Sequence, residues 1–202
     1  MMKKLSFLLV LLSLVFCAHA QIAYRINPES TLTITGTSTI HDWTSKVNSI
    51  NGELTFNNIS KEKNIPAKGK FINNLKIEVP VKSIESPRGP VMDNKTYEAL
   101  KSEEFPMITF IVRNNDISGI MDKTANKFGL NLTGDLTIAG FTKSVSFPVS
   151  GQKLENGSFR FIGDYSFKMT EFNIQPPTAM FGQIVTGDKI TLAFNFLVDE
   201  IK

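Results

Sequence analysis

The chain has 202 residues, 42% of them apolar and 20% charged, with 16 Phe, 13 Gly, 9 Pro and a single Cys, a composition that excludes the disordered, collagen-like and disulfide-scaffold classes. Its formal net charge of +3 falls to +1 once Lys3 and Lys4 of the first twenty residues are set aside. Neither an electrostatic footprint for nucleic acid nor a polybasic patch for an anionic membrane surface is present.

Those twenty residues form a distinct segment. Lys3 and Lys4 make a positive start, Leu5 to Phe16 a twelve-residue apolar region interrupted only by Ser6 and Ser13, and Ala18-His19-Ala20 supplies small residues before Gln21. The pattern is that of a signal peptide over residues 1–20, cleaved after Ala20. At about 1.5 Å per residue the apolar run is too short for a hydrocarbon core of roughly 30 Å, so it is not a membrane anchor. Cys17 follows the bulky Phe16, which disfavours lipidation. The expectation is an exported protein, periplasmic or extracellular, with no integral membrane segment after cleavage and one domain over residues 21–202. That domain has no Cys, so disulfides and thiolate metal sites are ruled out.

From Gln21 onward the dominant signal is alternation with period two in short runs: Leu32 and Ile34; Leu54 and Phe56; Leu75, Ile77, Val79 and Val81; Ile108, Phe110 and Val112. It continues through Leu130 and Leu132, Leu136 and Ile138, Val145, Phe147 and Val149, Phe159 and Phe161, and the long run Ile190, Leu192, Phe194, Phe196, Val198. Such runs are strands with one buried face. The alternate positions are mostly polar, as in Lys76 and Glu78 or Thr191 and Asn195, which predicts antiparallel sheet wetted on one side. Asn51-Gly52, Ala139-Gly140, Asn156-Gly157 and Thr186-Gly187-Asp188 read as hairpin turns between the runs, giving an all-β, up-and-down topology. Two segments break the alternation. Residues Asp93 to Glu104, with Asp93 as N-cap and Phe105-Pro106 as stop, read as one short helix. Met169 to Gln183, with Gln175-Pro176-Pro177, reads as a long loop with room for one helical turn.

Chemistry-bearing residues are sparse. His41 is the only histidine after the leader, which disfavours zinc and copper sites, and the expectation is a chain with no metal-binding and no catalytic residue. Asp42 beside it in a strand points to the opposite face and cannot orient its ring. There is no nucleophile elbow and no phosphate-cradling glycine loop. Trp43 is the only tryptophan, and fourteen Phe remain after the leader against three Tyr. These aromatics offer apolar contact without a hydrogen-bonding handle, which fits an apolar cavity and a solid core equally.

Several segments, in order, resemble the YceI-like family of polyisoprenoid-binding secreted proteins. They are Tyr24-Arg25-Ile26-Asn27 with Ser30, Gly36 to Trp43, Gly52-Glu53-Leu54-Thr55-Phe56 and Val79-Pro80-Val81-Lys82-Ser83-Ile84. They continue with Phe105-Pro106-Met107-Ile108-Thr109-Phe110, Gly134 to Gly140, Val145-Ser146-Phe147-Pro148-Val149 and Phe172 to Phe196. The resemblance implies an extended antiparallel β-barrel, lipocalin-like, whose tunnel holds an isoprenoid quinone or polyisoprenoid lipid. It implies a carrier or reservoir rather than an enzyme, and no cofactor beyond that lipid. The inward strand positions would then line the tunnel: Phe56, Ile77, Val79, Ile108, Phe110 and Leu136 from the earlier strands, and Ile138, Phe147, Phe161, Leu192, Phe194 and Phe196 from the later ones. His41 and Trp43 would stand at its mouth. Two other classes fit the same alternation: a filled β-barrel acting as an envelope interaction protein, and a hydrolase using His41 as general base.

Overall fold

Period-two segments become strands along almost their whole length in the computed structural model, which describes residues 22–57 and 65–201. The signal peptide read over residues 1–20 lies outside the described residues. In chain order the elements are β1 (Ala23–Ile26), β2 (Thr31–Ser38), β3 (Asp42–Val47), β4 (Asn51–Phe56), β5 (Ile72–Pro80), β6 (Ile84–Glu85), α1 (Pro90–Ala99), β7 (Met107–Asp122), β8 (Lys127–Ile138), β9 (Phe141–Lys153), β10 (Phe159–Lys168), β11 (Thr178–Ala179) and β12 (Ile184–Glu200). All the pairings are antiparallel. Eight strands, in the order β1-β4-β5-β7-β8-β9-β10-β12, close into a ring because β1 pairs with β12 as well as with β4. No helix among the described residues is long and apolar enough to cross a membrane.

The up-and-down order holds from β7 to β10 and fails in the first half. The cause is the length of β12, whose 17 residues offer two pairing sites on one edge. Its end, Val198 to Glu200, pairs with β1, while Thr186 to Asn195 pair with β2. The barrel wall is therefore β1 and β4 at one end, the base, and β2, β3 and β6 at the other, the mouth.

Two of the four expected turns are not turns. Ala139-Gly140 and Gly157 do take left-handed φ of 48°, 78° and 89°, as tight reversals require. Asn51-Gly52 and Gly187, in contrast, lie inside β4 and β12. A Cβ on Gly52 would come within 2.6 Å of Ile26 Cδ1, so close strand approach, rather than a reversal, accounts for this glycine.

The helix also starts earlier than expected. Gly89 is its N-cap, and Pro90 occupies the first position, where a fixed φ and a missing N–H are tolerated. Asp93 is thus not the cap. It is buried within the first turn, and its Oδ1 accepts the backbone N–H of Ser86 at 2.6 Å. The expected long loop contains two short 3-10 turns, Met169–Phe172 and Met180–Gly182, with β11 between them.

Candidate functional site

The base of the barrel is solid. Tyr24, Phe71, Phe128 and Phe159 are fully buried, and Phe56 sits among them with ring centroids 4.6 Å from Phe159 and 4.7 Å from Phe71. Phe56, expected in the tunnel lining, belongs to this plug and lines neither cavity described below. A single polar side chain ties the plug down. Buried Asn115 accepts the N–H groups of Phe71 and Ile72 at 2.9 and 2.8 Å and donates to the Ile72 carbonyl at 2.7 Å, so these three buried backbone groups are paired.

Above the plug the interior opens into two adjoining chambers. The inner one, about 120 Å³, is lined by Ile77, Phe110, Leu136, Phe147, Phe161, Phe194 and Phe196 among others, with Tyr165 its one polar side chain. Burial raises the Tyr165 phenol above its ordinary value, so the inner chamber carries no charge at neutral pH. The outer chamber, about 560 Å³, falls within the roughly 300–1,000 Å³ typical of small-molecule sites. Leu32, Val79, Ile108 and Leu192 line both chambers and form the neck between them. Of the expected lining, Ile138 joins Val79, Ile108 and Leu192 in the outer chamber. Alternation puts them there: Leu192, Phe194 and Phe196 point inward, while Ala193 and Asn195 are exposed.

Polar side chains collect at the mouth. His41 and Trp43 line the outer chamber there with Asp42, Arg88 and Lys95. His41 Nδ1 donates to the Asp42 carbonyl at 2.9 Å, and among the described residues no group of three His, Cys, Asp or Glu could hold a metal ion. One wall of the mouth is α1, whose Met92, Thr96 and Ala99, with the C-cap Leu100, face the chamber at helical spacing. The Tyr97 hydroxyl lies 3.0 Å from both the Lys82 and Ile84 carbonyls, and Lys95 Nζ donates to the Thr178 carbonyl at 3.0 Å. Those contacts fasten the helix to the barrel and to β11.

The opposite wall is the turn beginning at Met169. Lys143 Nζ donates to Glu171 Oε2 at 2.8 Å, and Asp188 accepts both the N–H and the hydroxyl of Thr170 at 2.9 and 2.7 Å. The Lys143 hydrogen bond holds the Glu171 carboxyl below the ordinary carboxylate range, and the Thr170 N–H does the same for Asp188. Sequence reasoning missed Met169, Ile174, Ile84 and Leu100 as lining, because Met169 and Ile174 stand in or beside a turn, Leu100 caps a helix and Ile84 opens a strand of only two residues, where period two gives no signal.

The YceI-like domain family model matches residues 24–198. The fold is similar to that of Burkholderia cenocepacia BcnA, with TM-score 0.59, 19% identity, and coverage of 86% of this chain and 99% of that one. It is also similar to a polyisoprenoid binding domain from Saccharophagus degradans, with TM-score 0.65, 10% identity and coverage of 90% and 100%. The Campylobacter jejuni YCEI protein aligns with TM-score 0.54 and 18% identity over 78% of this chain and 84% of that one. No curated protein sequence matches the chain.

Proposed function

The chain belongs to the YceI-like domain family, and on that premise we propose that it is an exported binding protein holding a long apolar chain, of the isoprenoid quinone or polyisoprenoid type, as carrier or reservoir. The observation that carries this reading is the pair of apolar chambers joined at Leu32, Val79, Ile108 and Leu192, closed below by the aromatic plug and open above at a polar mouth. This is the shape required by a molecule with a long greasy tail and one polar end. Each methylene moved from water into such a space contributes about 0.8 kcal/mol, so affinity needs few polar contacts. The chain acts by enclosing its ligand, without covalent chemistry. Export is supported by the leader of residues 1–20.

Organic extraction of the purified protein followed by mass spectrometry tests the ligand, and intact mass tests export. The expected results are a co-purifying isoprenoid chain and a mature N-terminus at Gln21. Extracts free of lipid from cells rich in isoprenoids would overturn the carrier reading in favour of a purely structural barrel. An acylated species beginning at Cys17 would overturn simple cleavage after Ala20.

A further inference from the structure

We propose that the rim of the mouth is a membrane-docking surface, through which the outer chamber exchanges its chain directly with a lipid bilayer. The inference rests on the apolar-ligand function proposed above. Its starting point is the distribution of exposed apolar side chains. Among the described residues nine large apolar side chains are exposed, and six of them, Ile40, Val91, Met92, Met180, Phe181 and Val185, belong to the segments that surround the mouth.

The contacts between those segments bring the six together. The backbone N–H of Thr39 donates to the Val185 carbonyl at 3.0 Å, which sets the tip carrying Ile40 beside Val185. Ala179 pairs with Ile184, so Met180 and Phe181 follow directly from the same edge. Lys95 bonds to Thr178, bringing the helix that carries Val91 and Met92 against that edge. Ile40 and Met92 also line the outer chamber, so the exposed patch is continuous with its opening. Contiguous exposed apolar surface of this kind marks an interaction site.

Backbone strain points the same way. Met180 and Phe181 hold left-handed φ of 52° and 54°, a disfavoured conformation for bulky residues, and Phe181 is fully exposed, so it gains no packing in return. Strain retained without a stabilising contact is characteristic of functional positions.

A bilayer is the occupant that the chemistry favours. An isoprenoid chain released into water would lose about fourfold in partition for each methylene exposed, whereas a mouth sealed against a bilayer exposes none. The charged side chains lining the mouth are Arg88 and Lys95 against Asp42, so they present no net negative charge to repel anionic headgroups.

Flotation with vesicles of phosphatidylethanolamine and phosphatidylglycerol tests the proposal, with the intact mass of each preparation recorded so that residues 1–20 are either present in all or absent from all. Wild type is expected to float. Phe181→Ser and Met180→Ser, at exposed rim positions that line neither chamber, should each lower vesicle partition about tenfold while leaving the unfolding midpoint and the extracted lipid unchanged. Met121→Ser, which alters an exposed side chain at the far end of β7, should leave partition unchanged. Failure of wild type to float while its extract contains lipid would overturn docking and leave the ligand reading standing. Phe181-dependent flotation of a protein whose extract is empty would uphold docking and overturn the ligand reading. An equal loss in Met121→Ser would overturn docking, as would a dimer that Phe181→Ser converts to monomer without any flotation, since the rim would then be an interface between copies.

Discussion

The indole of Trp43 occupies the space that a side chain on Gly36 would fill: a Cβ there would collide with ring atoms Cζ2 and Cε2, and the two residues are directly paired across β2 and β3. The ring is pinned by its Nε1–H, which donates to the Thr37 carbonyl at 2.9 Å. Gly36→Ala should therefore displace the indole from the mouth and cost about 1–3 kcal/mol through overpacking. Because Trp43 is the only tryptophan, a shift in its emission together with the denaturation midpoint checks this directly. Unchanged emission would contradict the packing.

Chain-length selection should depend on Phe194, which lines the inner chamber with its ring 4.9 Å from Phe196 and 6.1 Å from Phe147. Phe194→Ala enlarges the inner chamber, and part of the ligand can occupy the vacated space. The extracted lipid should shift to longer or bulkier chains, and the stability loss should fall below the roughly 3–5 kcal/mol of a Phe→Ala change in a filled core. Exposed Asn195 serves as control, and Asn195→Ala should alter neither property. Ile108→Phe, at the neck, should do the reverse and shorten the bound chain.

Asn115→Leu should cost about 2–4 kcal/mol, because it leaves the buried N–H groups of Phe71 and Ile72 without an acceptor. Chemical denaturation measures it. The loss should appear as a lower midpoint with Trp43 emission unchanged in the native state, since the substitution lies in the plug and the indole at the mouth.

Acid should open the outer chamber. The Glu171 and Asp188 carboxyls are held below their ordinary values by the Lys143 and Thr170 hydrogen bonds. Their stabilisation is therefore present above the usual carboxylate range near pH 4 and is lost as pH falls through the depressed folded values. Ligand retention should be flat from neutral pH down to about pH 5 and fall below about pH 4. Glu171→Gln combined with Asp188→Asn should blunt that fall, as lipid extraction after incubation across the pH series would show.

Legibility in the sequence followed the physics of each segment. Where one strand face meets an apolar interior and the other meets water, as at Leu192, Phe194 and Phe196 against Ala193 and Asn195, period two reveals both strand and orientation. It does not distinguish a wall facing a cavity from one facing a plug, and Phe56, in phase with the lining, lies in the plug for that reason. Glycine carries two meanings, reversal and close approach, and local sequence separated Gly140 from Gly52 no better than chance neighbours allow. His41 and Trp43 were placed at the mouth, but the rest of its wall was hidden, because Met169 and Ile174 come from a turn and its flank and Leu100 from a helix end, and the rim from four segments that meet only through β12 and its neighbours.

The pairing of Tyr24 with Glu200 joins the first strand to the last, which gives the ring one of the longest sequence separations the chain allows. Closure of such a contact carries a high loop-entropy cost and is slow compared with local pairing. The meander from β7 to β10 can form as soon as it is made, but the ring cannot shut until the final strand is available to receive β1. Until that seam forms, the inner faces of β1 and β12 have no neighbour to seal them, so the interior stays accessible from the side through the whole earlier course of folding.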